Sequence, residues 1–150
     1  MGLLTVQIPQ EYGYVLLTVV GSVFVNSFHG IMTGKARKSS GIGYPNAYAT
    51  AEQAEKNPEA YRLNCAQRAH ANFTENLVTF LPTLLIAGLR FPTYAAVAAT
   101  GWLTCRVAYT QGYVAKGPQG RVAPSIASYL FLFPLLGMAG TTCYKMITGQ

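Results

Sequence analysis

The sequence predicts an all-α integral membrane protein, an antiparallel bundle of four transmembrane helices forming one domain over residues 1–150. Three observations carry that expectation. Charge is scarce: Asp, Glu, Lys and Arg make up 11% of the chain, where a soluble domain has roughly 25%. Apolar residues make up 51%, more than 150 residues can hide from water, and the mean hydropathy is positive. The charges are also unevenly spread, being absent from residues 12–34 and from residues 122–144, 23 residues in each run. A helix of that length spans about 35 Å, enough to cross a hydrocarbon layer of about 30 Å with some tilt. The same composition excludes a disordered chain, which would be poor in apolar residues and rich in charge.

The first span is expected over about 14–33. No basic stretch precedes it and it is too long for a signal core, so it reads as a retained helix. The second helix begins outside the membrane, where Asn57 is a good N-cap and Pro58 suits the first turn. It spans about 66–89, with Pro82 expected to kink it. The third span covers about 93–115 and the fourth about 124–146, with a second interior proline at Pro134. Short second and third connections make successive helices antiparallel neighbours. The first and third loops hold Lys35, Arg37, Lys38, Lys56, Arg62, Lys116 and Arg121. The termini and the second loop hold only Arg90 and Lys145. This asymmetry assigns loops one and three to the cytoplasm.

The net charge of +6 raises the question of nucleic acid. Basic residues set in apolar helices are a poor footprint for it, and no nucleic-acid motif is present, so no nucleic-acid partner is expected. Anionic headgroups or an anionic small ligand suit the pattern better. Cys65, Cys105 and Cys143 are odd in number and far apart, and only two histidines exist. Neither a disulfide framework nor a metal site is expected. Asn72-Phe73-Thr74 matches a glycosylation sequon but falls inside helix two.

Charged residues within membrane helices are costly and normally face an interior or an aqueous cavity. Helix two carries Arg68, Asn72 and Glu75 at i, i+4 and i+7, one stripe on one face. The stripe is either an Arg68–Glu75 salt bridge knitting the bundle or the wall of a polar pocket. Helix three carries Arg106, Tyr109 and Tyr113 on one face, which reads as an interfacial aromatic belt or as donors to a ligand. Arg121 follows the basic turn that starts at Lys116 and precedes helix four. It is either a topology-setting arginine or part of an anion site at a helix N-terminus. Together these groups describe a cationic site whose donors outnumber its one carboxylate, so its ligand would be anionic. A channel is disfavoured, since helix four has almost no polar residues to line a pore.

Arg68-Ala69-His70-Ala71-Asn72-Phe73-Thr74-Glu75 resembles the R-x-x-x-N-x-x-E signature of the MAPEG family, the membrane-associated proteins in eicosanoid and glutathione metabolism. Further likeness, to the type-three microsomal glutathione transferase branch, lies in residues 11–17, Lys35-Ala36-Arg37-Lys38, Tyr44-Pro45 and Tyr109-x-x-Gly112-Tyr113. The resemblance covers about residues 10–145. It implies a homotrimer in the endoplasmic reticulum membrane that binds glutathione as co-substrate between subunits, near the cytosolic face. By position, Arg68, Asn72, Glu75, Tyr109 and Tyr113 would hold glutathione, with Arg37 and His70 reaching in from a neighbour and Lys38 and Arg106 as accessories. Arg121 would be the catalytic arginine, stabilising a glutathione thiolate that attacks a lipophilic electrophile or lipid hydroperoxide arriving from the membrane lipids. Two departures set this chain apart from the family's leukotriene-C synthases. The segment from Tyr113 to Arg121 is one residue longer, and Asn76 replaces a tyrosine. The alternative the resemblance leaves is a non-catalytic lipid-binding scaffold, a role also found in the family.

Overall fold

A computed structural model of the chain describes residues 7–150. Its elements are α1 (Tyr12–Ser40), α2 (Ala51–Lys56), α3 (Pro58–Gly88), α4 (Pro92–Lys116), a 3₁₀ turn (Gly117–Arg121) and α5 (Val122–Ile147). The four segments expected as spans are helical, within α1, α3, α4 and α5, except that the second runs one residue past the end of α3. α1 runs on past the apolar stretch, so Lys35, Arg37 and Lys38 ride on helix rather than loop. Lys, Ala and Arg are good helix formers, and the helix ends only at Gly41, whose φ of 71° is left-handed. α3 starts where the sequence indicated: Pro58 occupies the first turn and the Asn57 side chain accepts from the Glu59 N–H. The short α2 was not anticipated. Thr50 and Gln53 form a capping box that opens it, with side chain and backbone satisfying each other reciprocally. Pro82 and Pro134 both lie within helices, as expected.

α3 and α4 are the central pair. α1 packs against both from one side and α5 against both from the other; among the described residues α1 and α5 do not meet. The core between them is an aromatic column. His29 of α1 stacks on Phe73 of α3 at 4.6 Å, and Trp102 of α4 stacks on Phe80 at 4.0 Å between ring centres. Phe73 and Trp102, 6.0 Å apart, join the two pairs. Small residues let the helices close around this column. A side-chain carbon on Gly88 would press on Val15 and Tyr12 of α1, and one on Gly101 would overlap the Phe131 ring of α5. Close backbone approach through small residues is the usual solution where helices associate in lipid, because apolar burial drives little there.

The outside of the bundle is apolar. Leu16, Leu17, Val20 and Phe24 on α1, and Ile126, Leu130 and Phe133 on α5, are all exposed. Two stretches, Tyr12–Ser40 and Pro92–Ile147, are long and apolar enough to cross a membrane; the second contains both α4 and α5. Only 17% of the most apolar window in each is buried within the chain. The core helix of a water-soluble protein would be mostly buried, so these faces belong against lipid or further apolar helices. The protein is a membrane protein.

The glycine contacts predict a contrast. Gly101→Leu must displace Phe131 and should lower stability by about 1–3 kcal/mol, as overpacking does. Gly137→Leu adds its side chain where nothing lies within 4 Å and should leave the melting temperature nearly unchanged. Thermal unfolding in detergent, followed by circular dichroism, distinguishes the two.

Candidate functional site

The stripe on α3 divides into an outer pair and an inner residue. Arg68 and Glu75 lie on the exposed face, where the guanidinium donates to both carboxylate oxygens at 2.8 and 3.2 Å. The salt bridge raised by the spacing is therefore present, with side chains that are 45% and 54% exposed. An ion pair that open to solvent contributes little to stability and exchanges partners readily. Asn72 does not join it. Its side chain turns inward, and Oδ1 accepts from Arg106 Nη2 of α4 at 2.5 Å.

Arg106 is 3% exposed, and its environment is built to hold a cation. The guanidinium lies 4.4 Å from the Tyr109 ring centre and 5.5 Å from that of Trp102, within cation–π range of both. Arg106 Nε has no hydrogen-bond partner among the described residues. Tyr109 is buried beneath this group, and its Oη accepts from Arg121 Nη1 at 3.0 Å. Tyr113 meets the Tyr109 ring edge-on at 5.8 Å, and the Arg121 guanidinium lies 5.1 Å from the Tyr113 ring centre. The hydrogen bond to Tyr109 is the main cause that holds the Arg121 guanidinium above arginine's already high pKa range, so its positive charge is fixed. Both tyrosines are thus buried and lie against Arg121.

These groups line a polar cavity of about 180 Å³ between α3, α4 and α5. Asn72, Asn76, Arg106, Tyr109 and Arg121 form its walls, together with Ser125 and Ser128. Among the described residues it holds two guanidiniums and no carboxylate. Such a cavity favours an anion small enough to enter it: a thiolate, a carboxylate or an alkoxide. Arg121 is also the N-cap residue of α5, and no side chain caps that helix. The positive end of the helix dipole therefore adds to the two arginines.

Six expected site residues do not line this cavity within one chain: Arg68 and Glu75 form the outer pair, Tyr113 lies against Arg121, and Arg37, Lys38 and His70 lie elsewhere. Arg37 is buried in its own loop, donating to the carbonyls of Ile42, Asn46 and Ala47 at 3.3, 2.7 and 2.9 Å and lying over the Tyr44 ring. Lys38, one residue on, is exposed. His70 points to α1, where Nε2 contacts Asn26 Oδ1 at 3.1 Å. Beyond it His29, fully buried, meets the Thr110 hydroxyl at 2.8 Å. Sequence reasoning passed over Asn76, Ser125 and Ser128 as cavity residues. The signal was present, since Arg121, Ser125 and Ser128 repeat the i, i+4, i+7 spacing of Arg68, Asn72 and Glu75. Two serines in an apolar run draw no attention until a neighbouring helix gives them something to face.

The Asn72–Arg106 bond has a measurable consequence. Asn72→Ala strips a buried guanidinium of its one side-chain acceptor and should cost about 1.5–3 kcal/mol, the range for hydrogen bonds to charged groups. In an Asn72→Ala/Arg106→Met double variant the two losses should sum to less than the separate effects, because the unpaired charge is gone. Thermal unfolding of the four proteins measures that coupling. Set beside known protein families, the chain matches one family model, described as MAPEG family, over residues 15–141.

Proposed function

The chain belongs to the MAPEG family, a membrane family that includes glutathione transferases and peroxidases, and on that premise we propose that it is a glutathione-dependent transferase or peroxidase acting on lipophilic substrates. The observation that carries this reading is the cavity with two guanidiniums and no carboxylate, lined by Asn72 of the same α3 segment that carries the exposed Arg68–Glu75 pair. Glutathione offers the complementary set: two carboxylates, one ammonium and one thiol. The exposed pair can trade its mutual contact for the tripeptide's amino-acid end, Arg68 taking a carboxylate and Glu75 the ammonium. The thiol then falls toward the cavity, whose volume suits a cysteine side chain but not the whole tripeptide.

The chemistry proposed there is stabilisation of the thiolate by Arg121. A free thiol with a pKa of about 8.5 is only a few per cent ionised at pH 7, and the thiolate is the nucleophile. Lowering that pKa by about 2 units requires about 2.7 kcal/mol of preference for the charged form. Arg121 supplies a fixed cation, and Tyr109 supplies a second donor. Because Tyr109 Oη accepts its hydrogen bond from Arg121, its own proton is free to point at the sulfur. In conjugation the thiolate forms a C–S bond with an electrophilic carbon as a leaving group departs or, in an addition, as the resulting carbanion takes a proton. In peroxidase turnover it attacks the terminal hydroperoxide oxygen and breaks the O–O bond, so that the sulfur becomes a sulfenic acid and the released alkoxide is protonated. A second glutathione thiol then condenses with the sulfenic acid to give the disulfide and water.

The same proposal includes four membrane crossings, with α3 entering from the cytosolic side of the endoplasmic reticulum, and assembly as a homotrimer. Arg37 and His70 of a neighbouring copy, with Lys38 as accessory, would then complete the glutathione site. The basic residues at one end of the bundle and the outward apolar faces support this arrangement. One observation favours the second reading, a lipid-binding scaffold. An apolar groove of about 550 Å³ runs between α1 and α4, lined by residues including Leu17, Ala96 and Val97. The same groove would serve an enzyme as the approach for its lipophilic substrate, so the thiol separates the two readings.

Rapid mixing of the purified protein with glutathione, following thiolate absorbance against pH, is the test. The transferase reading expects the bound thiol to titrate near pH ~6.5, about 2 units below the free thiol. Thiolate and rate then rise with pH and level off above that midpoint. Arg121→Ala should return the midpoint toward ~8.5 and lower the rate at pH 7 by about 10²-fold. A bound thiol that titrates like the free one would sink the transferase reading and favour the scaffold.

A further inference from the structure

We propose that Gly112 and Gly120 are positioning residues for Arg121. This rests on the reading that Arg121 holds the thiolate. The chain reverses at Gly117, where φ is +65°, and the 3₁₀ turn folds back along the last turns of α4. There Gly120 and Gly112 meet backbone to backbone. A side-chain carbon on Gly112 would overlap the carbonyl group of Gly120, and one on Gly120 would overlap the carbonyl group of Gly112 and crowd Lys116 Cβ. Neither glycine has a positive φ, so what each provides is space and not an unusual backbone conformation.

The residues around this crossing give it a function beyond packing. Tyr109 lies one helical turn before Gly112, Tyr113 directly follows it, and Arg121 directly follows Gly120. The contact therefore sets the distance between Arg121 and both aromatic rings that hold it. Carbonyls and backbone atoms cannot swing aside as the end of a long side chain can, so any larger residue must part α4 from the turn. Arg121 moves with the turn. A misplacement of about 1 Å in a catalytic group can cost about 10²-fold in rate. The crossing also accommodates the departure seen in the sequence: after Tyr113 the chain finishes α4 at Lys116 and takes up Gly117–Arg121 in a 3₁₀ turn seated on that helix, which keeps Arg121 within reach of Tyr109.

The test uses the full-length protein in detergent, as Gly112→Ala, Gly120→Ala, Gly137→Ala and a variant with one glycine inserted between Gln119 and Gly120. The insertion lengthens the turn without adding a side chain, so it reports even where an alanine prevents assembly. Gly137 has open space around it and serves as the control. The first measurement is the rate at which phenylglyoxal modifies Arg121, followed by mass spectrometry without glutathione. The second is the titration of bound glutathione. The proposal expects Arg121 to react several-fold faster in the turn variants. It also expects the thiol midpoint to rise by about one unit, a tenfold loss of thiolate, with glutathione affinity little changed. Wild-type labelling and titration in all three turn variants would overturn it. Faster labelling of Arg121 in the turn variants, with an unshifted titration both in them and in a separate Arg121→Ala variant, would leave the glycines as positioning residues and remove Arg121 from the thiolate instead.

Discussion

The buried guanidinium of Arg106 is the constraint around which the rest of the bundle is arranged. A cation 3% exposed inside an apolar bundle is tolerable only with acceptors and ring faces close around it. Asn72 provides the acceptor from α3, and Trp102 and Tyr109 provide the faces from α4. These contacts hold the central helix pair in one register. That register also aligns Trp102 with Phe73 and Phe80 in the aromatic column. Tyr109 then has its hydroxyl directed toward Arg121, so the same ring that supports one arginine holds the second. The site is thus continuous with the core.

Charge in this protein is sorted by depth. The outer pair, Arg68 and Glu75, is half-exposed on the surface of the chain and neutralises itself, which keeps it available for exchange with a zwitterionic ligand. The inner arginines have no carboxylate to neutralise them among the described cavity residues, so the cavity keeps an unspent positive potential. Arg37 shows a third arrangement, with its charge absorbed by three loop carbonyls and the Tyr44 ring. Exposed carboxylates such as Glu52 and Glu59 pair locally with Lys56 and Arg62. Among the described residues Arg106 and Arg121 are the cations that line the cavity, where they can act on something brought from outside.

Much of this was legible in the chain because helix signals are local. Asn57-Pro58 marks the start of α3 through capping chemistry confined to a few neighbouring residues. Helical spacing puts Arg68 and Glu75 on one face and offers their pairing as one of two readings, and the structure shows the pair. The Thr50–Gln53 capping box was equally local and was overlooked because the helix it opens is only six residues long. The direction of Asn72 was not legible. Spacing puts it on the stripe, but the stripe is wide enough to face either Glu75 or α4, and the buried charge on α4 decides. His70 is similar: its partner Asn26 lies 44 residues away, and no periodicity connects them.

By itself the sequence determined the membrane class, the helical elements and the family signature. Each of these depends on composition or on spacing along one helix, and helix hydrogen bonds are closed within the segment. The tertiary structure decided which polar residues meet across helices. It set Asn72 against Arg106 and Tyr109 against Arg121, brought Ser125 and Ser128 to the cavity wall, and seated Gly112 on Gly120. The physical reason is that a membrane bundle fixes its packing through small residues and paired polar groups on different helices. Those pairings are properties of two faces at once, and a single chain read in order presents only one face at a time.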